Sequence, residues 1–145
     1  MYFKEKDLDK FIEYYHQGDG EKQIDFLLLH YDTIDYYIKG HTKIYNYLLE
    51  KLLKWNDIDG YKKYQNRLVH LTILKERRNL LDNQMQYLKP RDLELLRAYL
   101  DGEIDNKGLA ARDVITYQSA KQRMKRIRRK VKIIATTEFA KRPAV

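Results

Sequence analysis

The sequence predicts an all-α protein, and three of its features favour that fold class. Apolar residues recur at intervals of three and four over most of the chain, which is the period of an amphipathic helix. Alternation of apolar and polar residues, the pattern of a half-buried strand, is rare. Only two prolines occur, Pro90 and Pro143, and the few glycines lie mostly between periodic segments. We therefore expect helices joined by short turns.

Three helices are predicted in the first part of the chain. The first is short, is capped by Asp7 and ends at the break Gly18-Asp-Gly20. The second covers about residues 21–39, and Gly40 is the expected terminating residue. The third covers about residues 42–55, with an apolar surface wide enough to indicate burial on two sides.

A longer helix is predicted from Tyr61 to about Leu88, after a turn at residues 56–60 whose acidic side chains can cap it. Its apolar residues keep a heptad-like rhythm: Tyr61, Tyr64, Leu68, Leu71, Leu74, Leu81, Met85 and Leu88. Arg78 interrupts that rhythm where an apolar residue is expected. At 1.5 Å per residue the helix is roughly 40 Å long. It forms either a dimerising coiled coil or the spine of an intramolecular bundle.

Three more helices are predicted after Pro90. A compact, leucine-rich helix extends from Asp92 to Leu100, and a short one with two alanines covers residues 107–114. A basic helix follows at residues 116–135. The apolar pattern is lost after Ala135, so we expect the end of the chain to fray.

The positive charge of the protein is confined to its C-terminal part. Residues 89–145 carry 15 basic and 7 acidic side chains and thus the whole net charge of +8, whereas residues 1–88 carry 14 of each. A charge confined to one segment suggests a polyanion as partner. We place a domain boundary at Lys89, between a helical oligomerisation or partner-binding region (1–88) and a basic domain (89–145).

The basic helix has two unlike faces. Between Lys121 and Lys132, eight of twelve residues are Lys or Arg and none is acidic. Its apolar residues fall within an arc of about 80° on a helical wheel, and the eight basic residues lie outside that arc: Ala120, Met124, Ile127, Val131 and Ile134. One face can pack on a core while the other presents positive charge, as expected of a helix that binds nucleic acid.

Two stretches of this part of the chain resemble a known family. LKPRDLELLRAYLDG (residues 88–102) resembles the first helix of sigma-70 family region 4, and SAKQRMKRIRRKV (119–131) resembles its recognition helix. With its length and helical N-terminal half, the chain looks like the phage transcriptional regulators of the ArpU and RinA type. Those are small sigma-region-4-like activators of late genes in phages of Gram-positive bacteria. The sequence departs from a standard helix-turn-helix at the turn, where Gly is common but Val114-Ile115-Thr116-Tyr117 stands.

That resemblance implies a sequence-specific activator that binds double-stranded promoter DNA through a helix-turn-helix and acts with host RNA polymerase. Thr116 is then the N-cap of the recognition helix. The residues expected to read base edges in the major groove are Tyr117, Gln118, Ser119, Gln122 and Arg123. Those expected to contact phosphates are Lys121, Lys125, Arg126, Arg128 and Arg129, with Lys107 and Arg112 on the flanking backbone. We expect a homodimer formed through the N-terminal helices.

Other functions stay open. A basic helix face is often only solvated, but the charge density and the two preceding helices favour DNA. Membrane binding calls for a bulkier aromatic face than this helix has. A DNA-packaging protein of the terminase small subunit type, which also joins a helix-turn-helix to oligomerising helices, is one alternative. An RNA-binding helical protein is another.

We predict no enzyme, no cofactor and no metal site. The four histidines are scattered without metal-ligand spacing: His16, His30, His41 and His70. No pair of carboxylates and no Gly-rich phosphate loop stands out. The lack of cysteine fits a reducing compartment, no apolar run approaches 18 residues, and the N-terminus is too acidic for a signal peptide. We therefore expect a soluble, cytoplasmic protein, in the host cytoplasm if it is phage-encoded.

Overall fold

The computed structural model describes residues 2–141, so Pro143 lies outside the described residues. Within that range the chain forms helices and no strand, which confirms the all-α fold class. The helices are α1 (Glu5–Gln17), α2 (Gly20–Leu29), α3 (Tyr31–Lys54), α4 (Ile58–Met85), α5 (Pro90–Leu100), α6 (Asn106–Asp113) and α7 (Tyr117–Ala140). None of these described helices has the apolar length that crossing a bilayer requires.

Local side-chain chemistry sets most helix ends. The Asp7 carboxylate accepts the backbone N–H of Lys4 at 2.8 Å, so Asp7 caps α1 from its first turn. Gly18 ends that helix in the left-handed conformation with φ of 68°, as the Gly-Asp-Gly break predicts. Asp57 begins α4 by accepting the N–H of Gly60 at 2.9 Å, which confirms an acidic cap in this turn.

The predicted helix end at Gly40 is wrong, because α3 continues through Gly40 to Lys54. The chain bends instead at His30, whose side chain is buried between the rings of Phe3 and Phe26. A glycine inside a helix costs only about 1 kcal/mol relative to alanine. Burial of α3 side chains on both sides of Gly40, including Ile38 and Tyr45, outweighs that cost.

Helix α4 is the spine of an intramolecular bundle, one of the two predicted alternatives. It packs against α1, α3 and α7, and it buries Leu71, Leu74, Leu81 and Met85 within the chain. Arg78, which interrupts the heptad rhythm, is also buried.

Arg78 lies in this core because partners on α3 and on α4 itself compensate its burial. Its guanidinium stacks 3.3 Å from the centre of the Tyr31 ring and forms an ion pair with Asp82 at 2.6 Å. The Tyr31 hydroxyl donates to the same carboxylate at 2.6 Å. Burial, followed by that hydrogen bond, raises the pKa of Tyr31 to about 12.

The predicted fraying after Ala135 is also wrong for residues 136–140, and its remaining part, residues 142–145, lies outside the described residues. Helix α7 continues to Ala140, and Phe139 is only 1% exposed. The buried Arg77 guanidinium donates to the carbonyls of Phe139 at 3.0 Å and Lys141 at 2.6 Å, and Gln23 donates to Phe139 at 3.3 Å. A cation at this position satisfies free carbonyls and opposes the negative end of the helix dipole.

Helix α7 contacts both predicted regions of the chain. It packs against α5 and α6 and also against α2 and α4, and its buried residues belong to the same hydrophobic cluster as those of α1 to α4. At Gly20 the backbones of α2 and α7 are so close that a Cβ would lie 2.5 Å from the Thr136 carbonyl oxygen. The domain boundary at Lys89 stays a prediction.

Candidate nucleic-acid interface

The basic helix begins where its sequence predicts. The Thr116 hydroxyl oxygen accepts the N–H of Ser119 at 3.0 Å, which confirms Thr116 as the N-cap. The same hydroxyl lies 2.9 Å from Ser119 Oγ, to which it donates. Only residues 114–116 separate α6 from α7, so the positions that follow Thr116 start the first helical turn.

The turn between α6 and α7 contains a strained residue. Val114 has φ of 53° and ψ of 49°, the left-handed conformation in which Gly is common, and its side chain is 91% exposed. A β-branched side chain in this region costs about 1–2 kcal/mol through contact of Cβ with the backbone. Val114 therefore adopts the backbone conformation in which a glycine is common, and its valine side chain makes that conformation energetically costly.

Val114→Gly is therefore expected to raise the free energy of unfolding by about 1 kcal/mol, since strain is removed and no packing is lost. Urea denaturation followed by circular dichroism measures the change. The matched control is Val69→Gly, at an exposed position inside α4, which is expected to lower stability by a few tenths of a kcal/mol. A loss of stability at Val114 comparable to the control would contradict the strain.

The structure separates the five residues predicted to read bases into two groups. Tyr117, Gln118, Ser119 and Gln122 are exposed in the first two turns of α7. Arg123 is half-buried and forms an ion pair with Asp113, the last residue of α6. Arg112 and then Arg123 hold the pKa of the Asp113 carboxyl below its usual value through hydrogen bonds. Arg123 thus ties α6 to α7 in the unbound chain.

Four of the predicted phosphate contacts form one free cationic face. Lys121, Lys125, Arg126 and Arg129 are exposed, and none of them forms an ion pair with any residue in the range 2–141. The Lys121 ammonium lies 5.6 Å from the centre of the Tyr117 ring on the same helix, a contact that leaves its charge unneutralised. Together with Gln118 and Gln122 they occupy a sector of about 140° on α7, at 100° per residue. We call these four cations the free basic face.

The other cations of the basic run bind within the chain. Arg128 is half-buried with its guanidinium 5.8 Å from the centre of the Tyr99 ring. Lys130 pairs with Asp92 on α5 at 2.9 Å. Lys132 pairs with Asp25 on α2 at 2.8 Å, and this hydrogen bond raises the pKa of Lys132. These contacts join α7 to its neighbours and limit the free basic face to residues 121–129 of the helix.

The flanking predictions fall on α6. Lys107 and Arg112 are both exposed there, although Arg112 lies 3.1 Å from the Asp113 carboxylate. The acidic partners Asp25, Asp92 and Asp113 were missed by the sequence reasoning. Only Asp113 lies near the basic run in the sequence, and nothing in the local pattern connects the other two to α7.

Among residues 2–141, no cluster of His, Asp and Glu side chains is arranged to hold a metal ion. Comparison of the chain with protein-family models, with curated proteins and with solved structures finds no match.

Proposed function

We propose that this chain is a sequence-specific DNA-binding regulator of transcription that inserts the first half of α7 into the major groove. The observation that carries the proposal is the free basic face of Lys121, Lys125, Arg126 and Arg129. It lies on a helix that is capped at its start and anchored in the core along its other side. An unneutralised row of cations on a rigid helix is what a phosphate backbone binds.

In this proposal the glutamines and the cations of the exposed sector have different tasks. Gln118 and Gln122 belong to the first two turns, and a glutamine amide can pair with the N6 and N7 edge of adenine. The four free cations contact phosphates, which sets affinity and register but carries no sequence information. Arg123 holds α6 against α7 through Asp113 and so keeps the helix pair in one arrangement.

The biological role rests on the family resemblance of residues 88–135. It supports an activator of phage late genes that acts with host RNA polymerase in the host cytoplasm. The direction of regulation follows from that resemblance alone, because an activator and a repressor can share the same recognition helix. Genome-wide footprinting locates the target, and a strong site upstream of a structural operon is the expected result.

Binding to a promoter duplex is expected to fall steeply with salt. If the four free cations and Lys107 neutralise about five phosphates, log K against log salt has a slope of roughly −4 to −5. Replacing the four cations together by glutamine is expected to reduce the slope to about −1 and to weaken binding at moderate salt on the order of 100-fold. Fluorescence anisotropy of a labelled duplex measures both quantities.

The control removes the same charge from elsewhere on the chain. Lys6, Lys10, Lys62 and Lys75 are exposed on α1 and α4, so their joint replacement by glutamine changes the net charge equally. The control variant is expected to bind within about threefold of the unmodified chain, because distant charges are screened. Equal losses in both variants, or a slope near zero for the unmodified chain, would rule out the proposed interface.

A further inference from the structure

Helix α3 carries an exposed stripe that the chain itself does not cover. The side of α3 that contains Ile34, Tyr45 and Leu52 is buried in the bundle. A second side, centred about 120° away at 100° per residue, exposes Tyr36 by 80%, Ile44 by 49%, Tyr47 by 59% and Trp55, the C-cap residue, by 69%. We call the following set the α3 stripe, which spans about 100° of the helix surface: Tyr36, Gly40, Ile44, Tyr47, Lys51 and Trp55.

The spacing of the α3 stripe is the same in both directions. Its successive intervals are four, four, three, four and four residues, so the pattern is symmetric about the bond between Tyr45 and Asn46. A two-fold axis at that point, perpendicular to α3, superimposes the stripe on itself. In a dimer formed about such an axis, Ile44 lies at the same height along the helix as Tyr47 of the second copy. Tyr36 lies at the same height as Trp55 of the second copy. Self-complementarity of this kind is the requirement for an isologous dimer.

Gly40 fits the same arrangement. A Cβ at this position would have no heavy atom within 4 Å, so nothing within the described chain requires a glycine there. Inside a helix glycine is about 1 kcal/mol less favourable than alanine. In the antiparallel pair Gly40 lies opposite Lys51 of the second copy, where a missing side chain leaves room for the lysine stem to cross.

The charges beside the stripe complement each other in the antiparallel orientation. Lys39, Lys43 and Glu50 are exposed on one flank, and Glu50 forms no ion pair with residues 2–141. The symmetry relation places Glu50 opposite position 41, between Lys39 and Lys43 of the second copy. The same contact occurs twice across the axis. A parallel pair would instead set lysine against lysine.

We propose that a second copy of this chain docks on the α3 stripe, with the two α3 helices antiparallel about a two-fold axis. Burying the exposed parts of three aromatic residues, Ile44 and the flanking lysine stems removes on the order of 600 Å² per copy. That area reaches the lower end of the range of about 1,200–2,000 Å² in total that specific interfaces bury. The dimer goes beyond the proposed function and does not depend on DNA binding by α7.

The first test is the mass of the full chain by sedimentation velocity at micromolar concentrations. The expected mass is twice 17.6 kDa. Ile44→Glu puts carboxylates into the apolar centre and is expected to weaken association at least 100-fold. Val69→Glu makes the same change at an exposed position of α4, off the stripe, and is expected to leave the dimer intact. Circular dichroism confirms that each variant is folded.

The second test reverses the flanking charges. Glu50→Lys is expected to weaken the dimer at least tenfold, because it faces two lysines of the second copy. Adding Lys39→Glu and Lys43→Glu to the same chain is expected to restore the dimer, since all three charges are then exchanged across the axis. A monomer, a ring of many subunits, or a dimer insensitive to Ile44→Glu would overturn the proposal. A failure of the charge exchange to rescue would overturn the antiparallel orientation.

Discussion

Phe139→Ala is expected to lower the free energy of unfolding of the whole chain by about 3–5 kcal/mol, the cost of truncating a fully buried phenylalanine. Phe139 is 1% exposed and lies at the end of α7, where that helix meets α2 and α4. The substitution leaves a cavity in the cluster that includes residues of α1 to α4. Urea denaturation followed by circular dichroism measures the loss.

Ile133→Ala is the matched control for Phe139→Ala. Ile133 lies on the same helix but is 75% exposed, so its truncation is expected to change stability by less than about 0.5 kcal/mol. The loss of the apolar pattern after Ala135 predicts that Phe139→Ala is as harmless as Ile133→Ala, whereas the structure predicts a large difference. Equal, small effects would show that the second half of α7 does not pack on the bundle.

Arg77→Met is expected to lower the free energy of unfolding by about 2–3 kcal/mol, because it removes donors from one buried and one partly buried carbonyl and a cation from a helix C-terminus. The Arg77 guanidinium donates to Phe139 and Lys141 and lies 4.9 Å from the centre of the Tyr15 ring. Methionine keeps most of the side-chain volume, so the loss reports on the polar contacts. The same denaturation experiment measures it.

Two further variants separate the contributions at Arg77. Arg97→Met removes an exposed arginine from α5 and is expected to be neutral within about 0.5 kcal/mol. Arg77→Lys keeps the charge but lacks the planar fork, so an intermediate loss is expected. A stability of Arg77→Met equal to that of the unmodified chain would mean that desolvation of the guanidinium cancels its hydrogen bonds.

Two kinds of local feature were predicted correctly from the sequence: helix caps and the buried face of the basic helix. Thr116 and Asp57 cap the helices they were expected to cap, because a side chain three residues from the amide it accepts is a local arrangement. The buried face of the basic helix was also predicted, since Ala120, Met124 and Ile127 recur at the helical period and all three are buried. A helical period can be recognised in the sequence without knowing which residues the helix packs against.

The errors have one physical cause, which is contact between residues far apart in the chain. The low helix propensity of glycine predicts a helix end at Gly40. The helix continues because neighbouring side chains of α3 are buried in the bundle. The end of α7 looked frayed because its anchor, Arg77, lies 62 residues before Phe139. Arg78 interrupts the heptad rhythm at a buried position because its guanidinium stacks on the ring of Tyr31, which belongs to α3.

The all-α class, the segregation of charge and the two faces of the basic helix can be read from the sequence, because they depend on composition and on a period of 3.6 residues. Which cations of that helix stay free depends on how the other helices are arranged around it. Asp25, Asp92 and Asp113 come from three other helices and pair with Lys132, Lys130 and Arg123. Coulomb attraction depends on distance in space, and folding alone sets that distance.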